Sequence, residues 1–449
     1  MTTSRRQFIG SALAGGAFLI GRSVAFGAAP SKTLSVAIIG CGTMGRGNMD
    51  AFLRDRRCRV TAVCDPVSEL FDYGYSKRGR GWGGRDAFKR IVDKRYGDTS
   101  CKAVRDWREI ANDPSIDAVV ICTPDHWHAL MAIGCMEKGK HVYCQKPMSL
   151  GVSEGQQMVA VAKRKGVVFQ VGSQQRNASE FRIAAEWIRN GMLGACKECW
   201  IGLPGGKGPY WDYANDRRSQ KFPAYFGSQE MWDLWQGPAK HWLDDAFIPL
   251  IHAPMCWRSN SRTGGGMITD WGAHHVDILH WAIDQERNGP VAVENMTSDL
   301  DDDPYLDWAG KYSFDLVYAN GFVAHVSNAN PNGLRFKGEK GEFYVCRGRL
   351  DRPGFLRRWR ESDLGEKDVK LYKAAPGHNH ESDFIDGILE HRAVATDCEI
   401  GHRSISACHI ANICERLRLK SLKWDPKAEK FIGNEAANRL LQVPHTNGW

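Results

Sequence analysis

The sequence predicts an α/β protein in which a doubly wound parallel sheet is followed by an α+β domain with a large, mostly antiparallel sheet. Residues 34 to about 171 alternate short apolar runs with helical patterns, which is typical of parallel strands joined by helices. A glycine-rich turn separates the first run from the first helix. From Val291 to Arg347 polar and apolar residues alternate, with Asn320-Gly321 as a hairpin turn.

Composition bounds the possible functions. The 449 residues are enough for about two to three domains, and the 43% hydrophobic content is ordinary for a globular protein. No run reaches the roughly 18 apolar residues of a membrane span. The net charge of +8 comes mostly from dispersed basic residues, so no nucleic acid is expected as a partner. The sixteen tryptophans suit either a carbohydrate site or a core.

Residues 1–29 are predicted to be an export signal. Arg5 and Arg6 lie in a twin-arginine pattern, Ile9 to Gly21 form a weakly apolar segment, and small residues from Ala25 to Ala29 offer a cleavage site. The alternative is a disordered basic N-terminus. An export signal of this type predicts a periplasmic or otherwise exported protein that crosses the membrane already folded.

The first strand leads into a candidate phosphate-binding turn. The apolar run Val36 to Ile39 is followed at once by Gly40 to Gly45, which reads G-x-G-x-x-G. A second strand, Arg59 to Cys64, ends in Asp65, an acid that can hold the ribose hydroxyls of NAD and disfavours NADP. The alternative is a glycine turn without a cofactor. The pattern predicts a Rossmann domain over residues 30–171. Its cofactor-binding residues in this part are Gly40, Gly42, Thr43, Met44, Gly45 and Asp65.

The predicted roles of the three glycines differ. Gly40 permits the tight turn, Gly42 lets a pyrophosphate approach the backbone, and Gly45 lets the helix pack closely on the strand. The N-terminus of the helix then faces the phosphates.

Two further stretches have open interpretations. The basic stretch Lys77 to Arg95 is either a solvated loop and helix or a lid that meets an anion or the second domain. Cys196 and Cys199 have CxxC spacing, but no second pair stands at zinc spacing, so buried thiols in a strand are favoured over a metal or redox site. No metal site is predicted, and most of the fourteen cysteines are expected to be buried and reduced.

Polar residues follow two strands at the carboxyl edge of the predicted parallel sheet, where ligands bind in open α/β sheets. The strand Asp117 to Thr123 runs directly into Pro124 to His128, and the strand that begins at His141 delivers Lys146. The candidate cofactor-binding residues at this edge are Thr123, Pro124, His128, Gln145 and Lys146.

The second domain is assigned to residues 172–449. Residues 204 to 263 are irregular and aromatic-rich, as functional or interface loops often are. A helix from about Asp270 to Ile283 is predicted to place Asp270, His274 and Asp277 on one face, with His275 about 100° away. Asp270 would lie in the first turn, where the helix dipole favours its ionised form. The alternative is a capped helix with satisfied polar groups. The candidate substrate-binding residues are Arg176, Trp127, Trp257, Arg258 and Asp277.

Taken together, these motifs resemble the Gfo/Idh/MocA oxidoreductases over essentially the whole mature chain. The resemblance rests on the glycine turn, on Thr123-Pro124 with a histidine soon after, on Lys146-Pro147, and on D-x-G-x-H-x-x-D from Asp270 to Asp277. Family members usually have glutamate where this chain has Gln145. The resemblance implies that helices at about 380–418 pack back on the Rossmann domain and that the protein forms a homodimer or homotetramer.

The resemblance also implies the catalytic roles. His274 would accept the proton of a sugar hydroxyl while hydride leaves the carbon for NAD, and Lys146 would stabilise the developing alkoxide. Asp270 would orient the imidazole or bind a neighbouring hydroxyl. In an alternative, Lys146 is the base, because Gln145 removes a negative charge and tilts the lysine towards its neutral form.

The predicted function is that of an NAD-dependent oxidoreductase acting on a sugar or sugar derivative with tightly bound NAD. Because an exported protein has no route to reoxidise loose NADH, either the cofactor stays bound and a second substrate regenerates it, or the overall reaction is redox-neutral. The redox-neutral alternative is glycoside hydrolysis by transient C3 oxidation, elimination, hydration and re-reduction. The non-enzymatic alternative is a sugar or dinucleotide sensor, which the presence of Lys146, Asp270 and His274 disfavours.

Overall fold

A computed structural model describes residues 33–71, 81–205, 228–239, 256–303 and 306–443. The predicted export signal lies outside these described residues, as do Lys77 and much of the aromatic segment 204–263. The described residues form a parallel sheet, a larger mixed sheet and the helices that cover them.

The first sheet has six strands, and all of them are parallel. They are β1 (Leu34–Ile39), β2 (Cys58–Cys64), β5 (Lys102–Val104), β6 (Ala118–Ile121), β7 (His141–Cys144) and β8 (Phe169–Val171). Their order is β5-β2-β1-β6-β7-β8, so the winding reverses between β1 and β6. This switch point is where doubly wound sheets open a ligand crevice at their carboxyl edge. A separate small hairpin pairs β3 (Leu70–Phe71) with β4 (Trp82–Gly83).

Five helices connect these strands and cover both faces of the sheet. They are α1 (Thr43–Arg54), α2 (Arg85–Tyr96), α3 (Trp107–Asn112), α4 (Asp125–Glu137) and α5 (Val152–Lys165). Local chemistry sets several ends: Asp106 caps α3 by accepting from Arg108 N, and Gly97 and Gly166 close α2 and α5 in the left-handed conformation. Every residue of β6 is buried, as expected for a central parallel strand.

The second sheet has nine strands. They are β9 (Cys196–Gly202), β10 (Ala292–Ser298), β11 (Tyr312–Val317), β12 (Val323–Ser327), β13 (Gly333–Gly338), β14 (Gly341–Cys346), β15 (Arg349–Leu350), β16 (Leu422–Asp425) and β17 (Lys430–Phe431). Their order is β15-β14-β13-β9-β12-β11-β10-β16-β17. Only the β9–β12 pair is parallel, so the predicted mostly antiparallel sheet is confirmed.

The helices of the second part lie against this sheet and against the first domain. They are α6 (Ser179–Arg189), α7 (Gln229–Gln236), α8 (Gly266–Asp270), α9 (Gly272–Ala282), α10 (His380–Leu389), α11 (Cys398–Arg416) and α12 (Glu435–Arg439). Phe384 of α10 meets Phe52 of α1 and Tyr143 of β7 edge to face, with ring centroids 6.3 and 5.7 Å apart. Helix α10 therefore packs against the first domain.

The described residues also bear on two composition-based expectations. No described helix has both the length and the apolar character of a membrane span. Every cysteine whose side chain the structure describes is a free thiol, and Cys196 and Cys199 lie together in β9. Within the same ranges no cluster of His, Cys, Asp and Glu has the geometry of a metal site. The two cysteines with CxxC spacing therefore belong to one strand.

The glycine turn is sterically demanding. Gly40 has a φ of 94°, and a Cβ there would lie 2.6 Å from the carbonyl oxygen of Cys122 on the next strand. A Cβ on Gly45 would lie 1.9 Å from the carbonyl oxygen of Gly40. Only hydrogen can occupy these positions without moving the backbone.

We predict that Gly45→Ala and Gly47→Ala have opposite effects. Gly45→Ala should lower the free energy of unfolding by about 3 kcal/mol, because the methyl group collides with backbone that cannot move aside. Gly47 lies in the same helix, and a Cβ there meets no atom within 4 Å, so alanine should raise stability by up to about 1 kcal/mol. Urea denaturation measures both changes. Equal stability of Gly45→Ala and wild type would contradict this description of the turn.

Candidate functional site

The carboxyl end of β7 brings Lys146 against Asp270 of the second part of the chain. Lys146 Nζ lies 2.6 Å from Asp270 Oδ1 and 2.8 Å from the Asp270 carbonyl oxygen. The two side chains are only 8% and 5% exposed. Two buried hydrogen bonds to one residue fix the position of the ammonium group more firmly than a surface ion pair would.

The helix predicted from Asp270 to Ile283 is instead two helices, and the prediction that Asp270 lies in its first turn is wrong. Asp270 is the last residue of α8, and α9 begins after Trp271. The N–H of His274 donates to the Trp271 carbonyl at 3.0 Å rather than to that of Asp270. The Asp270 carbonyl is therefore available to Lys146, which takes the place of a helical donor.

Arg258 completes the environment of Asp270. Its Nε lies 3.1 Å from the same Oδ1, and its guanidinium carbon lies 4.0 Å above the ring of Trp257. Burial alone would raise the pKa of Asp270, but Lys146 and Arg258 outweigh it and hold that pKa well below the usual range. Asp270 is therefore a carboxylate. It supplies, beside Lys146, the negative charge that Gln145 does not.

His274 lies one helical turn beyond Asp270 and is buried. Its Nδ1 has no hydrogen-bond partner among the described residues. Burial, together with the charges of Lys146 and Arg347, lowers its pKa well below the ordinary value, so the ring is neutral. His275 points elsewhere, as its position on the helix predicts, and its Nε2 lies 2.7 Å from Asn332 Oδ1. Nδ1 has no partner in either ring among the described residues, whereas Nε2 of His275 is held by Asn332.

Asp125, the first residue of α4, also belongs to the site, although no role was predicted for it from the sequence. It is 2% exposed, and its Oδ2 has no partner among the described residues. Desolvation raises its pKa to about 8, although Arg258, Lys146 and the Gly265 N–H each act in the opposite direction. At neutral pH this carboxyl group is mainly protonated. Its place just after Thr123-Pro124 was the available sequence signal.

Arg347 is a second residue that sequence reasoning missed. It lies in the turn between β14 and β15, and its guanidinium carbon is 4.6 Å above the ring of Trp271. Its charge reaches Asp270 and His274 electrostatically. No local motif marks it, because the contact depends on the sheet bringing residue 347 to residue 271.

The predicted cofactor-binding residues have features that suit a dinucleotide. Helix α1 begins at Gly42 with no side-chain cap and no acid in its first turn, so its N–H groups are available to an anion. The Thr123 hydroxyl and Gln145 Oε1 are buried at the adjacent strand ends without partners in the described residues. The residues present therefore fit a nicotinamide dinucleotide lying from the glycine turn towards Lys146.

The individual residues differ in their contacts. Asp65 accepts from Cys41 N at 2.8 Å and from Val67 N at 2.9 Å, which fixes its carboxylate beside the turn. Met44 is 43% exposed on the outer side of the same turn. Gln145 Nε2 donates to Asn48 Oδ1 at 3.1 Å and so holds α1 to the end of β7.

Arg176 and Asp277 do not bind substrate in this structure, and that interpretation is corrected. Arg176 Nε and the second terminal nitrogen lie 2.7 Å from the two carboxylate oxygens of Asp277, and both side chains are almost fully buried. Ser404 Oγ donates to the same carboxylate at 3.0 Å. A satisfied, buried pair of this kind joins the start of the second domain to α9 and has no free group for a ligand.

Trp127 and His128 are also corrected. Trp127 is buried, donates its indole N–H to Trp235 O at 2.8 Å, and packs against Gly237. Both ring nitrogens of His128 face backbone carbonyls, those of Pro147 at 2.6 Å and Thr123 at 2.9 Å. Burial lowers the pKa of His128 to about 4. These two side chains hold the strand ends in place and do not reach into the crevice.

The described part of the basic stretch supports its solvated interpretation. Lys89 pairs with Asp93 at 2.8 Å, and Arg90 pairs with Glu69. Arg85 donates to the carbonyl oxygens of Asp65 and Pro66 at 3.1 and 2.7 Å. These cations therefore bind partners within the first domain itself.

Two family models match the chain. Residues 87–173 match the oxidoreductase family with the NAD-binding Rossmann fold, GFO_IDH_MocA. Residues 181–449 match the C-terminal alpha/beta domain of the same oxidoreductase family. The second match alone covers more than half of the chain.

Several curated relatives align with the chain. It is 27% identical to the uncharacterized oxidoreductase YrbE of Bacillus subtilis, over 78% of this chain and 89% of that protein. It is 29% identical to levoglucosan dehydrogenase of Pseudarthrobacter phenanthrenivorans, over 36% of this chain and 39% of that protein. It is also 29% identical to glycosyl hydrolase family 109 protein 1 of Shewanella sp. strain MR-4, over 39% of this chain and 36% of that protein.

A solved structure shares the fold. The aldose-aldose oxidoreductase from Caulobacter crescentus, complexed with glycerol, superposes with a TM-score of 0.58. The superposition covers 87% of this chain and 99% of that one at 19% identity.

The buried carboxyl group gives a prediction about pH. Asp125 keeps its proton in the folded state up to about pH 8, whereas an unfolded aspartate releases it near pH 4. Its contribution to stability is therefore lost as pH rises through that window. Between about pH 5.5 and 7.5, wild type should lose about 2 kcal/mol of unfolding free energy relative to Asp125→Asn.

Urea denaturation of both proteins at the two pH values measures this difference. Asp425→Asn is the control, because backbone hydrogen bonds lower the pKa of exposed Asp425 and it stays ionised throughout. A wild-type minus Asp125→Asn difference that is the same at both pH values would contradict the protonated carboxyl group.

Proposed function

The chain belongs to the Gfo/Idh/MocA family of oxidoreductases, and on that premise we propose that it transfers hydride between a sugar carbinol and a nicotinamide cofactor. The observation that carries the proposal is the contact between Lys146 and Asp270, with the unpartnered ring of His274 beside it. This group lies at the carboxyl edge of the sheet, next to the uncapped N-terminus of α1. Oxidation of a hydroxyl needs a proton acceptor and a cation for the developing alkoxide, and both are present here.

Each side chain has a separate role in the proposed hydride transfer. When bound, the nicotinamide supplies the hydride acceptor. His274 is neutral and can take the hydroxyl proton on a ring nitrogen. Lys146 donates to the same substrate oxygen and stabilises its negative charge, while Asp270 fixes the direction of the ammonium group. Arg258 keeps Asp270 ionised, so the carboxylate does not compete for the proton that His274 removes.

The alternative in which Lys146 is the base is less well supported by the contacts. Lys146 Nζ already contacts the carboxylate and the carbonyl oxygen of Asp270, so the structure presents it as a hydrogen-bond donor. His274 Nδ1 has no partner among the described residues, although burial and the nearby cations lower the pKa of the ring.

A redox-neutral glycoside hydrolase is the second candidate. The similarity to a family 109 glycosyl hydrolase of Shewanella favours it, as does the predicted export, since a reaction that returns its hydride needs no external oxidant. The same His274 and Lys146 would serve the transient oxidation and the re-reduction. Incubation with aryl glycosides and free sugars separates the two: a keto sugar indicates net oxidation, and a released aglycone indicates hydrolysis.

We further propose NAD rather than NADP as the cofactor, held tightly and loaded before export. Asp65 at the end of β2 is the support for NAD, because its charge repels a 2′-phosphate. Purified protein should then contain a nicotinamide nucleotide that mass spectrometry detects without added cofactor.

We predict that Lys146→Ala and His274→Ala each lower kcat by about 100-fold or more, because each removes a group that acts on the reacting oxygen. Cofactor binding, followed by fluorescence, should be retained in both. His275→Gln is the matched control on the same helix, since its ring faces Asn332 outside the site, and it should keep activity near that of wild type. Normal turnover by either alanine variant would remove that residue from the mechanism.

The export proposal rests on the sequence of residues 1–29. Replacing Arg5 and Arg6 by lysine should leave the precursor in the cytoplasm of an expressing bacterium, because the twin-arginine route reads that pair. Arg22→Lys keeps the pair and is the control. Immunoblots of periplasmic and cytoplasmic fractions report the outcome, and equal export of all three proteins would contradict the proposal.

A further inference from the structure

We propose that the substrate of this site is an anionic sugar whose negative group is bound by Arg347. This inference rests on the proposed function, since it names the substrate class for the same crevice. It follows from the charges around Asp270 and from the position of Arg347 in the turn between β14 and β15.

The described charges of the site do not balance. Lys146, Arg258 and Arg347 are three cations that act on one carboxylate, Asp270. Asp125 adds no full negative charge at neutral pH, because desolvation raises its pKa to about 8. His274 and His275 are neutral, because burial lowers the pKa of both rings. The described residues therefore leave two positive charges in excess around the reacting position.

The first two cations already have a partner. Lys146 and Arg258 share Asp270 Oδ1 at 2.6 and 3.1 Å, and Lys146 is also the group that meets the reacting oxygen. Arg347 makes no ion pair with any residue in the described ranges. Its side chain is stacked on an indole and its charge is partly desolvated, which lowers its pKa. Arg347 is exposed, so water solvates its charge when a neutral sugar is bound, whereas an anion would pair with it directly.

The stacking of Arg347 suits it to bind an anion. The guanidinium carbon lies 4.6 Å above the ring of Trp271, the residue that joins Asp270 to the helix of His274. Stacking occupies one face of the guanidinium plane and leaves its edge of N–H donors free. Such an edge binds a carboxylate, or a phosphate, through two parallel hydrogen bonds. The Trp271 ring centroid also lies 6.2 Å from that of His274, so an anionic group bound in this way would lie near His274.

The chain provides a matched control two residues away. Arg349 lies in the same hairpin with a side chain that is 64% exposed, and it pairs with Asp351 at 2.8 Å. Arg349→Gln removes the same charge from the same hairpin as Arg347→Gln. Any difference between the two variants therefore reports the position of Arg347 and not the net charge of the protein.

The test compares matched sugars on the full-length, cofactor-loaded protein. Isothermal titration calorimetry measures the binding of methyl glucuronoside, glucose 6-phosphate and methyl glucoside, and turnover of the same compounds is followed in parallel. We expect the best anionic sugar to bind at least about tenfold more tightly than methyl glucoside. This preference should fall in high salt and disappear in Arg347→Gln, while Arg349→Gln keeps it. Comparison of the uronate and phosphate arms identifies the anionic group.

The outcomes separate this inference from the proposed function. Equal or tighter binding of methyl glucoside by wild type would overturn the inference, as would an unchanged preference in Arg347→Gln. Turnover of neutral sugars alone would overturn the inference and leave the oxidoreductase intact. Arg347-dependent binding of an anionic sugar without turnover of any sugar would uphold the ligand class and count against the proposed reaction.

Discussion

The contact between Lys146 and Asp270 is the interaction on which the rest of the site depends. Its two partners come from different parts of the chain, since Lys146 follows β7 of the parallel sheet and Asp270 is the last residue of α8. Both side chains are buried, and Arg258 also contacts the Asp270 carboxylate. The contact therefore holds the two parts of the chain together and fixes the direction of the ammonium group. It also interrupts the helix before His274, because the Asp270 carbonyl bonds to lysine.

Around this contact some polar groups are hydrogen-bonded within the protein, and others are buried without a partner. The Arg176–Asp277 pair and the Trp127 indole N–H are satisfied by the protein itself, and His128 lies between two backbone carbonyls. Four groups near the carboxyl edge of the sheet instead remain buried without partners among the described residues: the Thr123 hydroxyl, Asp125 Oδ2, Gln145 Oε1 and His274 Nδ1. Unsatisfied buried polar atoms are costly and are commonly kept where a ligand completes them. Their distribution follows the crevice from the glycine turn to Asp270.

The sequence predicted much of the fold because local patterns determine it. The apolar runs of β1, β6 and β7, the G-x-G-x-x-G turn and the Asn320-Gly321 hairpin are each readable within a few residues. Lys146 was predictable for the same reason, since a strand that ends in a lysine delivers it to the carboxyl edge.

Features that depend on distant contacts were not predictable in this way. The helix break at Trp271 is set by a lysine more than a hundred residues earlier. Arg176 was placed in the crevice because its loop is polar, but Asp277 occupies it completely. Arg347 gives no local signal, and only the register of the second sheet brings it over Trp271. Propensity and spacing describe neighbours along the chain, whereas these contacts depend on tertiary packing.

The most direct measurement of the central claim is a crystal structure of the protein with a nicotinamide cofactor and a sugar that it turns over. We expect the reacting carbinol oxygen to lie within about 3.2 Å of both Lys146 Nζ and a ring nitrogen of His274. We also expect Asp270 to remain in contact with the ammonium group. A reacting carbon bound elsewhere in the crevice, with Lys146 and His274 out of reach of its oxygen, would contradict this expectation.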